Sequence, residues 1–225
     1  MNQSVIDVLL VDDHAFFRNI LLRLLEDVPH INVVATAQNG YEALDVCHAH
    51  HPDVILMDLS MEMMDGLTAT ATIRHQYPQT NILVLTGVED HTQAIATFEA
   101  GAAGYLRKDS ITPQNLITAI QCVADGGIYI DPHVFSALLP TWYAAELPPE
   151  PPSLVIELSA DEHNLLRQVA LGRNNQEISK RDEVSSKTVA NKASMLFSKI
   201  EVNGRVQATH FALRHGVIHL DETAV

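Results

Sequence analysis

Two apolar segments that each end in aspartate constrain the fold of this chain more than any other feature. Residues 53–58 (Asp-Val-Ile-Leu-Met-Asp) hold four apolar residues in an unbroken run, without the alternation of a strand that has one wet face. Such a run is typical of a central parallel strand that is buried on both faces. The second segment, residues 5–11, is apolar at all but one position and stops at Asp12 and Asp13. Together the two segments predict neighbouring strands of a parallel sheet.

The aspartates that follow these strands predict a cation site. The carboxyl ends of parallel strands meet at one edge of a sheet, where α/β proteins bind their ligands. Asp12, Asp13 and Asp58 are therefore expected to converge, and three carboxylates at short range repel one another unless a cation joins them. Mg²⁺ prefers such hard oxygen ligands together with phosphate oxygens and water. A single aspartate after a strand is usually only a turn cap, so the interpretation depends on the convergence of all three.

The order of elements supports one doubly wound sheet. Short apolar runs predict strands, and apolar residues at helical spacing predict the helices between them. The predicted strands are 5–11, 31–37, 53–58, 81–85 and 104–107, and the predicted helices are 14–27, 40–50, 67–77, 92–100 and 112–124. Five strands and five helices fit in about 125 residues, the size of one domain. The alternation predicts an α/β domain with a doubly wound, five-stranded parallel sheet of the flavodoxin-like type.

Two further polar residues end strands of this sheet. Thr86 follows the fourth strand and Lys108 follows the fifth. A carboxylate can accept a phosphoryl group, and an ammonium and a hydroxyl can then pair with the charge that it brings. The three acids, Thr86 and Lys108 therefore predict a site that binds a metal ion and becomes phosphorylated on a carboxylate.

Residues 5–135 resemble the receiver domain of two-component response regulators, a fold of the CheY type. The motifs that carry the resemblance are VDDH (11–14), LMDLSMEMMDG (56–66), LVLTGVED (83–90), GYLRKD (104–109) and GGIYIDP (126–132). The resemblance implies that Asp58 is the phosphoacceptor, and that magnesium is held by Asp12, Asp13, Asp58 and the backbone carbonyl of Ser60. It also implies that Thr86 and Lys108 contact the phosphoryl oxygens. Tyr105 would be an aromatic switch residue that turns inward when Thr86 moves. Glu62 stands where the family usually has proline, so the loop after Asp58 loses a fixed φ and gains an acid.

Cysteine content and hydropathy indicate a cytoplasmic protein without a membrane partner. The two cysteines, Cys47 and Cys122, fall on apolar helix faces and are interpreted as packing residues in a reducing compartment. No apolar run approaches the roughly 18 residues that span a bilayer. The first apolar run has no basic flank and ends in two acids, unlike a signal peptide.

Proline and charge both mark a boundary in the second half of the chain. Five prolines fall within residues 140–152, which interrupts any helix or central strand. The chain is therefore divided into a receiver (1–135), a proline-rich linker (136–157) and a C-terminal domain (158–225). Residues 1–152 carry 5 Lys and Arg against 19 Asp and Glu, whereas residues 153–225 carry 9 of each. The whole formal charge of −14 thus belongs to the part before residue 153.

Residues 158–216 predict four short helices. Ser185 is a good N-cap for the third helix, which has a buried face formed by Val189, Ala193, Leu196 and Ile200. No acid occurs between residues 185 and 199, and the predicted outer face presents Lys187, Asn191, Ser194 and Ser198. A helix with small polar and basic residues outside can enter the major groove of double-stranded DNA. An ordinary solvated helix face has a similar composition, so composition alone leaves both interpretations open.

Residues 158–200, LSADEHNLLRQVALGRNNQEISKRDEVSSKTVANKASMLFSKI, resemble the LuxR-type helix-turn-helix. A receiver joined to this all-α, four-helix domain defines the NarL/FixJ group of response regulators. The resemblance implies a DNA-binding domain and a homodimer on activation, with base-reading positions near Ala190, Asn191 and Ser194. The full set of predicted DNA contacts is Lys180, Arg181, Lys187, Thr188, Ala190, Asn191, Lys192 and Ser194. Three residues depart from the family pattern: Asp182 replaces an apolar residue, Ala190 a common lysine and Lys192 a common histidine.

The sequence as a whole predicts a phosphorylation-switched transcription regulator, with a sensor histidine kinase and double-stranded DNA as partners. An independent enzyme is not expected, because no nucleophile–base set occurs outside the receiver site, which catalyses only its own aspartyl phosphorylation and dephosphorylation. The alternative is a receiver whose C-terminal module binds protein rather than DNA. Its support is the zero net charge of residues 153–225 and the missing lysine at position 190.

Overall fold

The fold is known from a computed structural model that describes residues 5–87, 91–135 and 158–218. Strands and helices alternate up to residue 130, and each predicted one is found within two residues of its predicted bounds. The strands are β1 (Ile6–Val11), β2 (Ile31–Ala37), β3 (Val54–Asp58), β4 (Asn81–Thr86), β5 (Gly104–Arg107) and β6 (Tyr129–Ile130). The helices between them are α1 (Ala15–Leu25), α2 (Gly40–His50), α3 (Gly66–Gln76), α4 (His91–Glu99) and α5 (Pro113–Ala124).

All strands of the sheet are parallel, in the order β2-β1-β3-β4-β5-β6. β3 is central and every one of its residues is buried, as the unbroken apolar run predicted. The prediction of five strands was one short, because β6 adds a sixth at the edge. Its two residues pair with Gly104 and Tyr105 of β5. A strand of two residues is too short to give a periodic sequence signal.

Helices cover both faces of the sheet and bury two apolar cores. One core contains residues of α2, α3 and α4, and the other contains residues of α1 and α5. Cys47 is fully buried in the first core, where burial raises the pKa of its thiol to about 12. Burial also raises the pKa of the half-buried Cys122. Thiols held in the protonated form in this way behave as small packing residues, as the sequence predicted.

The C-terminal part contains four helices around a third core: α6 (Ala160–Ala170), α7 (Asn175–Asp182), α8 (Ser186–Lys199) and α9 (Arg205–Arg214). Side chains cap three of the helix starts, with Ser159 and Asn174 in capping boxes and Ser185 accepting from the backbone N–H of Thr188. The four residues that predicted the inner face of α8 are all buried. The predicted linker, 136–157, lies outside the described residues, so the domain bounds stay a prediction.

The C-terminal helices contact the receiver at the carboxyl ends of α3, α4 and α5. Asp125, just after α5, accepts hydrogen bonds from the Asn175 backbone N–H and from Gln176 Nε2, both at 2.8 Å. Gln207 Nε2 of α9 donates to the Glu99 carbonyl of α4 at 2.7 Å. Because crossover helices run antiparallel to their strands, these contacts lie at the amino edge of the sheet. The described part of α8 contributes none of these hydrogen bonds.

Candidate functional site

The predicted acidic cluster forms at the carboxyl edge of the sheet. Asp58 is the last residue of β3, and Asp12 directly follows β1, its neighbour in the sheet. Both are almost fully buried, at 3% and 1% exposure. One ligand atom from each of Asp12, Asp13, His14 and Asp58 lies within 4.8 Å of the others. The parallel pairing of Val11 with Met57 explains the convergence, because it places both strand ends at the same level.

Lys108 connects two of these carboxylates. Its Nζ atom lies 2.7 Å from Asp12 Oδ2 and 2.8 Å from Asp58 Oδ2. It also lies 4.7 Å above the ring centre of Phe17 in α1, a position that favours a cation. The site therefore holds three carboxylates against one ammonium, which leaves two negative charges in excess when His14 is neutral.

The pKa of Asp58 is raised above the ordinary carboxyl value. Burial is the largest cause, and the negative charge of Asp12 acts in the same direction. The Lys108 ammonium and the backbone N–H of Ser60, 3.4 Å from Asp58 Oδ1, oppose the shift. Because few protein groups donate hydrogen bonds to the Asp58 carboxylate, its oxygens keep lone pairs that can bind a cation or form a new covalent bond.

The donor set fits a magnesium ion. Asp13 Oδ1 is buried and forms no hydrogen bond with the described residues, although His14 Nδ1 lies 2.6 Å away outside hydrogen-bond geometry. Carboxylate oxygens are the ligands that Mg²⁺ prefers, and two excess negative charges match its charge. The hydrogen bond of Ser60 described here uses its N–H. That the Ser60 carbonyl is a magnesium ligand stays a prediction.

Sequence reasoning missed three residues of α1 and the turn before it. His14 belongs to the acidic cluster, Phe17 lies under Lys108, and Arg18 Nη1 donates to the backbone carbonyl of Asp12. Positions 14, 17 and 18 share one side of a helical turn that begins directly after Asp13, and that spacing was the available signal.

Thr86 and Tyr105 both lie inside the receiver. Thr86 ends β4 and is buried one residue beyond Leu85, which pairs with Asp58. The Tyr105 ring is 1% exposed and its centre lies 6.3 Å from that of Phe98 in α4. The ring is therefore inward in this structure, and its movement on phosphorylation stays a prediction. Packing against Phe98 gives the Tyr105 ring an apolar environment.

The outer side of α8 agrees with the sequence prediction at most positions. Lys187, Asn191 and Lys192 are exposed, as are Lys180 and Arg181 at the end of α7, and Thr188 and Ala190 are partly buried. Among the described residues, none of the exposed five has a side-chain hydrogen bond or ion pair. The unusual Asp182 is also exposed, so its charge is hydrated rather than buried in the helical core.

The predicted exposure of Ser194 is wrong. Its exposure is only 7%, whereas the following residue, Met195, is 74% exposed. The apolar face of α8 is wider than the four predicted residues because α8 packs against both α6 and α7. A small side chain beside Ala193 is therefore covered, and Ser194 does not lie on the outer face with Asn191.

Family models match both parts of the chain. Residues 8–121 match the response regulator receiver domain, and residues 157–212 match the bacterial regulatory proteins of the luxR family. The chain belongs to the NarL/FixJ, or LuxR-type, family of two-component response regulators. The response regulator UvrY of Escherichia coli (strain K12) is 35% identical over 217 residues, which cover 96% of this chain and 98% of UvrY.

Solved structures agree with this family. A LuxR-family response regulator from Aurantimonas sp. SI85-9A1 matches with a TM-score of 0.59 and 33% identity, over 62% of this regulator and 99% of that chain. The response regulator ChrA of a heme-sensing two-component system matches with a TM-score of 0.52 and 28% identity, over 96% of this regulator and all of that chain. The receiver and the helix-turn-helix fold are thereby confirmed.

The regulator is a two-component transcription regulator with a LuxR-type DNA-binding domain, as the sequence predicted. The family match decides against the alternative of a protein-binding C-terminal module, because it covers all four C-terminal helices almost to the end of α9. In the described part of the regulator, no helix is both long and apolar enough to cross a membrane.

Proposed function

We propose that Asp58 accepts a phosphoryl group from a sensor histidine kinase, and that this group switches DNA binding by α7 and α8. The observation that carries the proposal is the position of Lys108 Nζ, 2.8 Å from Asp58 Oδ2 and 2.7 Å from Asp12 Oδ2. The Lys108 ammonium lies between the buried acceptor Asp58 and the buried Asp12, so it can move towards negative charge that is added to Asp58.

The nucleophile is a carboxylate oxygen of Asp58. It attacks the phosphorus of a phosphohistidine, the O–P bond forms as the N–P bond breaks, and the leaving imidazole nitrogen keeps the electron pair and takes up a proton. Lys108 and the Ser60 N–H hold the carboxylate in position during this step. In dephosphorylation, water attacks the phosphorus, the bond between the Asp58 oxygen and phosphorus breaks, the carboxylate is restored with the bonding electron pair, and inorganic phosphate leaves with the oxygen of the water. Phosphorylation of its own Asp58 and hydrolysis of that phosphoryl group are the only reactions proposed for the regulator.

Asp12, Asp13 and Asp58 would hold Mg²⁺, with the Ser60 carbonyl as a further ligand. When bound, the ion neutralises charge on the phosphoryl oxygens. Without such a cation, a phosphoryl dianion would meet three carboxylates and only one ammonium, and the net interaction would be repulsive. The buried Asp13 Oδ1, which lacks a hydrogen bond within the described residues, supports the same assignment.

Thr86 and Lys108 transmit the change. A phosphoryl group adds strong acceptors beside them, so the Thr86 hydroxyl and the Lys108 ammonium pair with its oxygens. Thr86 and Tyr105 belong to paired strands, and the Tyr105 ring packs on Phe98 of α4. The next residue of α4, Glu99, accepts the hydrogen bond from Gln207 of α9. A displacement of Thr86 can therefore be passed through the side chains of Tyr105 and Phe98 to the end of α4, which contacts the C-terminal helices.

The exposed residues of α7 and α8 bind double-stranded DNA. Lys180, Arg181, Lys187 and Lys192 supply positive charge for the phosphates, and Asn191 can pair with an adenine edge in the major groove. Four basic residues give a single chain little electrostatic affinity, so we propose that phosphorylation pairs two chains on adjacent half-sites. A regulator with this activity works in the cytoplasm, where the chromosome is.

Phosphorylation is tested with acetyl phosphate and Mg²⁺ by intact-protein mass spectrometry. The parent protein is expected to gain one phosphoryl group, and Asp58→Ala is expected to gain none. Asp45→Ala is the matched control, because Asp45 is exposed and has no described hydrogen bond. An undiminished adduct on Asp58→Ala would place the acceptor elsewhere. Selection of bound sequences from random DNA, with and without the phosphodonor, then tests the switch itself.

A further inference from the structure

Met195 is the unexplained side chain of the DNA-binding unit. Within residues 158–218, the structure describes one strongly exposed large apolar side chain, and it is Met195 at 74%. Leaving one methionine in water is not unusual by itself. Its position on α8, the helix that the proposed function places in the major groove, gives the exposure a specific meaning.

Helical spacing puts Met195 in line with the polar residues of the outer face. It follows Asn191 by four positions and Lys192 by three, so these side chains share one side of α8. With Ser194 buried, Met195 is the exposed residue that extends the outer face by one turn beyond Asn191. A base edge contacted by Asn191 and one contacted by Met195 would therefore belong to nearby base pairs.

Charge identifies what covers this face. Exposed Lys187 and Lys192 precede Met195 on α8, Lys199 follows it in an ion pair with Glu162, and α8 from Ser186 to Lys199 contains no acid. A second copy of the same face would bring lysine against lysine in a two-fold contact, which is unfavourable. The described hydrogen bonds of the receiver reach α7, α9 and Asn203 in the turn between α8 and α9, and none of them reaches the outer face of α8. DNA phosphates match the lysines, so DNA is the occupant to which the observations point.

We propose that Met195 is a specificity-determining residue that contacts the 5-methyl group of a thymine. This inference rests on the proposed function of α8 as the DNA-reading helix. The thymine methyl is the apolar group that the four bases present in the major groove. Methionine is unbranched and flexible, so its thioether can reach past the polar residues and pack on that methyl group.

The test replaces thymine by deoxyuridine, which lacks only the 5-methyl group, at each thymine of a DNA site selected by the phosphorylated full-length chain. For the parent protein, one thymine in each half-site is expected to show a loss in affinity of about fourfold, the factor that corresponds to about 0.8 kcal/mol for one buried methylene group. Met195→Ala is expected to bind the thymine and deoxyuridine forms equally at that position.

Two further variants keep the test specific. Met195→Leu retains an apolar side chain and is expected to keep most of the deoxyuridine effect. Tyr41→Ala truncates an exposed receiver residue and is expected to keep all of it. If the parent is insensitive at every thymine, or Met195→Ala stays as sensitive as the parent, the inference fails while the DNA-binding function stands. If no sequence is enriched from random DNA, both fail together. Loss of dimerisation by Met195→Ala with an unchanged deoxyuridine effect would make Met195 a protein contact instead.

Discussion

Lys108 and Asp58 form a partly buried ion pair at the receiver edge, with 2.8 Å between Nζ and Oδ2. The same ammonium also lies 2.7 Å from Asp12 Oδ2. Lys108 thus has two acidic partners of similar distance before any group is added. A phosphoryl group on Asp58 adds negative charge on one side only, so the ammonium is drawn towards the new oxygens and away from Asp12. We therefore expect Lys108 to respond to phosphorylation rather than to accept the phosphoryl group.

Lys108→Ala is therefore expected to separate phosphorylation from its consequence. The variant keeps the Asp58 nucleophile, so mass spectrometry is expected to show an adduct that forms more slowly than in the parent protein. Sedimentation is expected to show no pairing of chains, because the ion pair that senses the phosphoryl group is gone. Arg23→Ala makes the same change in charge at an exposed receiver position and is the control. If Lys108→Ala pairs on phosphorylation as well as the parent does, its assigned role is wrong.

The raised pKa of Asp58 predicts that this acid destabilises the fold at neutral pH. A carboxyl group whose pKa is higher in the folded protein than in the unfolded chain favours folding in its protonated form. That contribution is present below the ordinary pKa of 3.8 and is lost as pH rises through the raised value. Asp58→Asn is thus expected to increase the free energy of unfolding at pH 7 by on the order of 1 kcal/mol. Urea titrations at several pH values measure the effect, and the gain is expected to shrink towards acid pH. A gain that is equal at all pH values would contradict this cause.

Mg²⁺ is expected to stabilise the regulator through the same carboxylates. A ligand that binds only the folded state at about 100 times its Kd adds roughly 2.7 kcal/mol to the free energy of unfolding. Thermal unfolding with increasing MgCl₂ is expected to show this gain in the parent protein. Asp13→Asn removes one charge from the cluster and is expected to lose most of the gain, whereas Asp45→Asn is expected to keep it. Equal responses of the two variants would remove Asp13 from the metal site.

The carboxyl-edge site could be predicted from the sequence because its members are fixed by strand ends. An unbroken apolar run locates a buried parallel strand, and the residue after it must lie at the sheet edge. Asp12, Asp58, Thr86 and Lys108 all follow from this rule. His14, Phe17 and Arg18 reach the site from a helix, where the rotation of α1 decides which residues face inward. The strand rule gives no information about that rotation.

The features that the sequence did not predict depend on tertiary packing. Ser194 has the composition of an outer-face residue but is covered because α8 packs on two helices. Strand β6 pairs only two residues, and the inward Tyr105 depends on the position of Phe98 in a different helix. The hydrogen bonds between Asp125 and α7 join residues 50 and 51 positions apart, a pairing for which no local pattern exists.

The contact at Asp125 is expected to restrain the DNA-binding helices before phosphorylation. Asp125→Ala removes the acceptor of the Gln176 side chain, and one such hydrogen bond contributes about 1 kcal/mol. Without phosphodonor, the variant is expected to bind its selected DNA about fivefold more tightly than the parent protein. Gln176→Ala in the same background gives a double-mutant cycle, since the second change is expected to add little once Asp125 is absent. Fully additive effects on DNA affinity would show that the pair does not act as one restraint.

The neutral charge of the C-terminal part leads to a prediction about position 190. Each phosphate neutralised by a lysine or arginine adds about 0.9 to the slope of log K against log salt on duplex DNA. Ala190 is partly exposed on α8 between Lys187 and Asn191, which are both exposed. Ala190→Lys is expected to tighten DNA binding and to steepen the salt slope by up to about 1. Titrations at several salt concentrations on selected DNA measure both quantities.

Ala190→Gln is the matched control for that measurement, because it adds a long polar side chain without charge. Its salt slope is expected to equal that of the parent protein, since no further phosphate is neutralised. A change of slope in Ala190→Lys alone would therefore come from charge and place residue 190 at the DNA surface. If neither variant changes affinity or slope, residue 190 does not face DNA, and the assignment of α8 as the DNA-reading helix fails. The exposed Lys180 and Arg181 of α7 would then be the basic residues to test next, by the same salt titration.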